Sequence, residues 1–173
     1  SIEECFEEYA KYIFAIETGL SSDPLMNRKC SFLDNIALIS NSDSHSLQRI
    51  GREANVFDTT TDYASIIDAI RSRDPKKFIS TIEFFPEEGK YHFDGHRLCK
   101  VRWSPEETKR HGGRCSACGK KVTVGVMHRV EALADRPEGA MPEGALPFKR
   151  VVQLDKIIAD ALGMGDGTQA VER

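Results

Sequence analysis

This sequence predicts an α/β protein: a body of parallel strand-and-helix units, then a small ribbon held together at its cysteines, then a linker and a terminal helix. Three observations predict it. His96-x-x-Cys99 is followed, after fifteen intervening residues, by Cys115-x-x-Cys118 in a chain with five cysteines. A ligand pair at this spacing sits on a tight turn that aims both donors at one point, and two such knuckles complete a tetrahedron around one zinc ion. Short apolar runs at Ile13 to Ile16 and Ile36 to Ile39 alternate with helical patterns and end in polar loops, the order of parallel α/β units. Pro86-Glu87-Glu88-Gly89 then separates body from ribbon, and three of the seven prolines fall within 137–147. The chain divides accordingly into a body at 1–86, a ribbon at 87–136, and a linker with a helix at 137–173.

Composition narrows the class. With 173 residues and 40% hydrophobic content, the chain can bury one ordinary core or two small ones. It has no run of 18 apolar residues and no basic N-terminal region followed by an apolar one, so neither a membrane span nor a signal peptide is read, and a cytoplasmic location is expected. An odd cysteine count, with three in a metal pattern, argues against a disulfide framework. The net charge of −3 hides an asymmetry: residues 1–35 carry seven acidic and three basic side chains, residues 91–121 eight basic and three acidic ones. A basic ribbon on an acidic body points to a polyanionic partner for the ribbon alone.

Ser1-x-x-Glu4 has the form of a capping box, and Ile2, Cys5, Phe6, Tyr9 and Ile13 follow at helical spacing, so the chain opens on a helix. Ile13 to Ile16 reads as a buried strand, Pro24 to Asp34 as a helix and Ile36 to Ile39 as a second buried strand. Tyr63 to Arg71 is an amphipathic helix stopped by Asp74-Pro75, and Phe78 to Phe84 alternates as a strand does. In the ribbon, Val122 to Val126 reads as a strand and His128 to Asp135 as a helix stopped before Pro137. Residues 137–147 form an extended linker. Val151, Leu154, Ile157, Ile158 and Leu162 mark a helix ended at Gly163, with an apolar face free to dock; the last ten residues are expected to be loose.

Imidazole and thiolate are both ordinary zinc donors, so His96, Cys99, Cys115 and Cys118 make a chemically complete structural set, with His92 or His128 as alternatives to His96. Gly119 suits the tight backbone after the second knuckle. In parallel α/β folds reactive side chains gather beyond the carboxyl ends of the strands, where Glu17, Asp43 and His45 lie. Asp43 and His45, two apart, project to one side of an extended backbone and can share a hard or borderline cation. The plainer reading is a solvated turn. Arg52 offers a guanidinium for a phosphate, or for steadying its own loop. Around the knuckles Arg102, Lys109 and Arg110, with the single tryptophan Trp103, suit phosphate gripping and base stacking.

The strings Glu17 to Pro24 (ETGLSSDP), Ser40 to Ser46 (SNSDSHS) and Gly51 to Asn55 (GREAN) resemble the later part of a PHP (polymerase and histidinol phosphatase) metallo-phosphoesterase domain, and are similar to endonuclease Q and its bacterial relatives. Tyr91 to Cys99 and Gly125 to Pro137 resemble that family's zinc-binding region. The resemblance implies the C-terminal part of a distorted parallel (β/α) barrel followed by a zinc module. It further implies a cleft that holds divalent zinc, manganese or magnesium through Asp43 and His45 in the full-length protein, and Glu17 near the substrate. DNA is the implied partner, cut beside deaminated bases such as uracil and hypoxanthine.

The departure from the family is equally specific. A PHP site needs an early His-x-His and further ligands, and this chain has no His-x-His. The expectation is therefore a C-terminal piece of a longer metal-dependent DNA endonuclease, missing its N-terminal part and inactive alone. Two other readings stay open: a zinc-ribbon nucleic-acid-binding module without catalysis, and a phosphatase of small phosphate esters.

Overall fold

The structure, a computed structural model, describes residues 2–165, 168 and 171. It is a mixed α/β protein with three small sheets. Strand β1 (Ala15–Glu17) and β2 (Ala37–Ile39) pair in parallel, Ala15 opposite Ala37. Between them the chain crosses over through helix α2 (Pro24–Asn27), capped by Asp23, whose carboxylate accepts from the Met26 amide at 2.9 Å. Strand β3 (Ala54–Phe57), helix α3 (Tyr63–Ser72) and strand β4 (Phe78–Glu83) follow, with β3 and β4 antiparallel. The ribbon begins with the hairpin of β5 (Asp94–His96) and β6 (Val101–Trp103), and continues through helices α4 (Pro105–Arg110) and α5 (Val126–Leu133). Strand β7 (Phe148–Arg150) then returns to pair in parallel with β4, and α6 (Leu154–Leu162) closes the described chain.

Several expectations are corrected. The opening helix, α1 (Ile2–Phe6), is one turn long and passes into a 3-10 segment at Glu7–Tyr12, with Phe6, Tyr9 and Tyr12 exposed. Its apolar stripe has nothing to bury against among the described residues, and a helix this short is not stable on propensity alone. The Ser1 cap lies outside the described residues. Strand β1 starts two residues later than the apolar run and is only half buried. The helix read over Pro24 to Asp34 breaks at Arg28, whose side chain donates to the Ile36 carbonyl at 3.1 Å and to that of Leu33, so a short 3-10 turn at Ser31–Leu33 replaces the second half. Val122 to Val126 forms no strand: it contributes one bridge, Gly95 to Thr123, and Val126 already begins α5.

Residues 137–147 carry no helix or strand, and directly after them comes a strand that the sequence reading does not contain. Residues 148–150 are a sheet strand, held because Thr81 donates its amide to the Pro147 carbonyl and Val151 donates to Glu83. The periodicity of three residues is too short to read, and only the partner strand makes them one. Helix α6 ends at Gly163, whose φ of +62° closes the helix by donating to the Ala159 carbonyl. Its expected docking is partial: Ala159 is buried and Lys156 pairs with Glu88 at 2.5 Å, while Leu154, Ile157 and Leu162 stay exposed. The last ten residues lie largely outside the described ones.

The apolar core is small. Phe78 and Ala69 are fully buried, and the Phe57 and Phe78 rings meet at 4.7 Å between centroids. Much of the contact between the two body sheets is polar instead. Thr18, just past β1, donates to the buried Glu83 on β4 at 3.0 Å, and Ser40, just past β2, donates to the Ile82 carbonyl at 2.9 Å. Burial raises Glu83 above the usual carboxylate range, against the opposing hydrogen bonds from Thr81 and Thr18. On the far side, Arg150 of β7 grips the fully buried Asp23 with two nitrogens, Nε at 2.7 Å. No helix among the described residues is long and apolar enough to cross a membrane.

Candidate metal centre and strand-end loop

The ribbon hairpin and the loop after α4 bring His96, Cys99, Cys115 and Cys118 together, their donor atoms all within 4.8 Å of one another. Each knuckle turns on a residue in the left-handed region, Lys100 after Cys99 (φ +54°) and Gly119 after Cys118 (φ +70°). At Gly119 the amide donates back to the Cys115 carbonyl at 2.8 Å, which closes the turn. The His96 ring nitrogen Nδ1 lies 3.4 Å from the Cys118 sulfur. Burial would raise the Cys115 thiol, but amides of Ala117 and Cys118 aimed at its sulfur bring it down to about 7. Cys99 is pushed up to about 11, first by its contact with the Cys118 sulfur. Crowded sulfurs that resist joint deprotonation, around one already favoured as thiolate, are the electrostatics of a site that a cation would relieve. The four residues fit a tetrahedral metal ion.

The alternative ligands are placed elsewhere. His92 is buried under the body, its Nδ1 2.9 Å from the Ser21 carbonyl, and so ties ribbon to body. His128 on α5 pairs through Nδ1 with the buried Asp94 at 2.5 Å.

The second constellation lies at the strand ends. Glu17 ends β1 and accepts from Asn41 at 3.2 Å; Asn41 in turn accepts from Asn55 at 3.1 Å. Asp43 and His45 are exposed on the loop after β2, with carboxylate and Nδ1 3.9 Å apart. They come together by a route other than the extended backbone expected. Asp43 takes φ +45°, a conformation Asp tolerates better than most side chains, and His45 Nδ1 folds back onto the Asp43 carbonyl at 2.9 Å. Among the described residues no third His, Cys, Asp or Glu joins them as a metal-holding group. Arg52 steadies this loop through backbone, Nε donating to the Ser42 carbonyl at 2.7 Å, so its guanidinium is committed to carbonyls and to no carboxylate.

Behind the loop stands an acid that the sequence does not single out. Glu53 is 3% exposed, accepts from the Phe84 amide at 3.1 Å with one oxygen and leaves the other without a hydrogen bond. Burial, with Glu83 and Glu17 nearby, pushes it up to about 7. In sequence it is one Glu after an Arg in a polar string, and nothing local marks it. Its burial comes from β4, thirty residues on.

The basic residues of the ribbon have different neighbours. Arg102 stacks over the Phe93 ring at 4.0 Å and donates to the Glu87 carbonyl; with Tyr91 and Arg97 it lines a cleft of about 490 Å³. Trp103 lies flat on His111 at 4.2 Å. Lys109 and Arg110 are exposed on α4, and Arg110 reaches Glu106 at 4.0 Å.

A family described as PHP-associated matches residues 34–75. An uncharacterized protein of Methanocaldococcus jannaschii is 30% identical over 99% of this chain and 22% of its own length. An uncharacterized protein of Bacillus subtilis is 33% identical over 82% of this chain and 35% of its own. Among solved structures, the chain is similar to the lesion-specific endonuclease Q of Pyrococcus furiosus, with a TM-score of 0.73 and 31% identity over 90% of this chain and 39% of that one. It is also similar to an endonuclease Q solved with a 27-mer duplex carrying an abasic lesion at the active site, with a TM-score of 0.78 and 30% identity over 90% of this chain and 40% of that one. The chain thus spans 22% to 40% of the length of these relatives.

Proposed function

We propose, from the similarity to endonuclease Q and the PHP-associated match over residues 34–75, that the chain supplies the strand-end loop and the zinc-stabilised DNA-holding module of a metal-dependent endonuclease that acts beside deaminated or otherwise damaged bases. In this reading residues 1–86 are the C-terminal part of a distorted PHP barrel, residues 87–136 a zinc ribbon, and residues 137–173 the return to the body and a helix. What carries the reading is the likeness to an enzyme solved on a lesion-bearing duplex, joined to an exposed Asp43 and His45 at the strand ends where α/β folds place their chemistry.

Zinc suits the His96, Cys99, Cys115 and Cys118 set because three sulfurs and one imidazole leave no open position, which makes the role structural. At the strand ends Asp43 and His45 would hold one edge of a divalent zinc, manganese or magnesium ion, whose chemistry when bound is to supply a hydroxide and polarise a phosphoryl oxygen. Two donors do not complete such a site, so the 173 residues alone are expected not to cut DNA. The chain's own residues act by placement. Arg52 fixes the carbonyls beneath Asp43, Asn41 and Asn55 fix the Glu17 carboxylate at the end of β1, and the ribbon's cations hold the phosphate backbone.

The test is incision of uracil-containing, hypoxanthine-containing and undamaged duplexes by the whole protein that carries these residues. Asp43→Ala is expected to lower incision by at least about a hundredfold, as loss of metal-orienting groups does, with duplex binding kept. Incision by the variant at the unaltered rate would remove Asp43 from the reaction. Turnover of small phosphate esters in preference to DNA would move the activity to another class.

A further inference from the structure

We propose that the cleft between α4 and the second knuckle, closed on one side by His128, is a phosphodiester-binding subsite in which the Asp94-held imidazole donates to a phosphate oxygen. The proposal rests on the reading that this module meets DNA, and it assigns a contact to His128, which carries none in that reading.

The dyad is the central observation. Asp94 on β5 is fully buried, with one oxygen accepting from the Gly125 amide at 2.6 Å and the other facing His128 Nδ1 at 2.5 Å. The carboxylate thereby fixes the ring and leaves Nε2 as the nitrogen that can meet a ligand. The ring's side chain is 24% exposed and lines a cleft of about 460 Å³ together with Thr108, Lys109, Arg114, Lys121 and Val124.

The charge of this cleft sets its ligand class. Lys109 on α4 and Arg114 and Lys121 on the knuckle loop bring three cations to it, and no carboxylate lines it. The clefts that include Arg28, Arg49, Arg102 and Arg150 each carry at least one acid. Arg114 is itself anchored, donating to the Gly119 carbonyl at 3.1 Å, so its position follows that of the metal knuckle. An imidazole that donates Nδ1–H to Asp94 can donate Nε2–H to a second anion only as the imidazolium. Two lysine point charges beside one guanidinium, with no carboxylate among the lining residues, suit the several oxygens of a phosphodiester.

The experiment is a salt titration of labelled-duplex binding by the zinc-loaded 173-residue chain, by His128→Gln and by the Lys109→Gln, Lys121→Gln double variant, read by anisotropy. Each phosphate that a variant no longer neutralises is expected to flatten the plot of log affinity against log salt by about 0.9. The single variant should show about one such step and the double variant up to two, with zinc content unchanged. A second readout is the ring nitrogen signal of His128 on addition of inorganic phosphate, which should shift. The exposed lysines keep the test sound if the single variant folds poorly. A duplex bound with the unaltered slope by both variants, with no phosphate shift at His128, overturns the subsite and leaves the DNA reading standing. A phosphate shift that the lysine variant abolishes, in a chain that does not bind duplex, supports the anion site and overturns the DNA reading. Absence of both responses overturns both.

Discussion

Burial holds the Glu53 carboxyl at about 7 from an ordinary value of 4.5, and this makes one side chain a pH sensor for the whole body. Below about pH 4.5 the folded and unfolded chains both keep the proton, and burial of the neutral acid costs nothing further. Between about 4.5 and 7 the unfolded chain has released its proton while the folded one still holds it, so stability falls as pH rises. Above that window the penalty levels off at about 3 kcal/mol. Glu53→Gln keeps an acceptor for the Phe84 amide and removes the charge. It is expected to be near neutral at pH 4.5 and to stabilise by about 2 kcal/mol at pH 8, measured by urea unfolding at the two values. An equal effect at both would show that the carboxyl is not held protonated. The same residue, next to Arg52 and behind the strand-end loop, shows how a functional neighbourhood acquires a buried acid that no local pattern announces.

Among the elements, the segment around His96, Cys99, Cys115 and Cys118 is built of short pieces, which a metal held by the four residues would tie together. Its hairpin strands are three residues each, and the α4 cap is a reciprocal one, Ser104 with the Glu107 amide and Glu107 with the Ser104 amide. Elements this short do not fold on propensity. Metal binding to unfolded ligands therefore becomes folding energy, on the order of 10 kcal/mol for a zinc site of this type. Purified chain is expected to carry about one zinc ion, and Cys115→Ala about none, with amide protection lost across residues 91–121 and kept in β4. Elemental analysis and hydrogen exchange check it together. Zinc-free wild-type protein isolated without chelator, with the ribbon still protected, would show that the four residues hold the turn without a metal.

Across the molecule, the strand after the ribbon ties the later part of the described chain back to the body. Arg150 on β7 and Asp23 at the α2 cap are 127 residues apart in sequence, and Asp23 has no exposure. Removing the guanidinium leaves a buried carboxylate with only the Met26 amide, and breaking a buried pair from one side costs about 3 to 5 kcal/mol. Arg150→Ala is expected to destabilise by about that range, discounted toward about 3 because the arginine side is 30% exposed. Denaturant unfolding measures it. A loss under about 1 kcal/mol would mean that water replaces the arginine at Asp23. The pair also explains why a stretch with three prolines is not a free linker: its far end is anchored to the cap of the first crossover helix.

Features set by local chemistry are legible in the residues alone. Ligand spacing marks Cys99, Cys115, Cys118 and His96 because knuckle geometry is written in a few consecutive residues, and the apolar runs at Ile13 and Ile36 mark a parallel strand pair because burial and chain order are both local signals. The α3 helix is legible for the same reason, its Asp62 cap and apolar spacing lying within one segment. The remaining features follow from packing between distant segments. Packing selects His96 over His92 and His128, since those two rings are taken by Ser21 and Asp94. It turns residues 148–150 into a strand, since three residues have no periodicity until β4 offers them hydrogen bonds. It buries Glu53, since that depends on what packs against the chain there and not on the residues beside it in sequence.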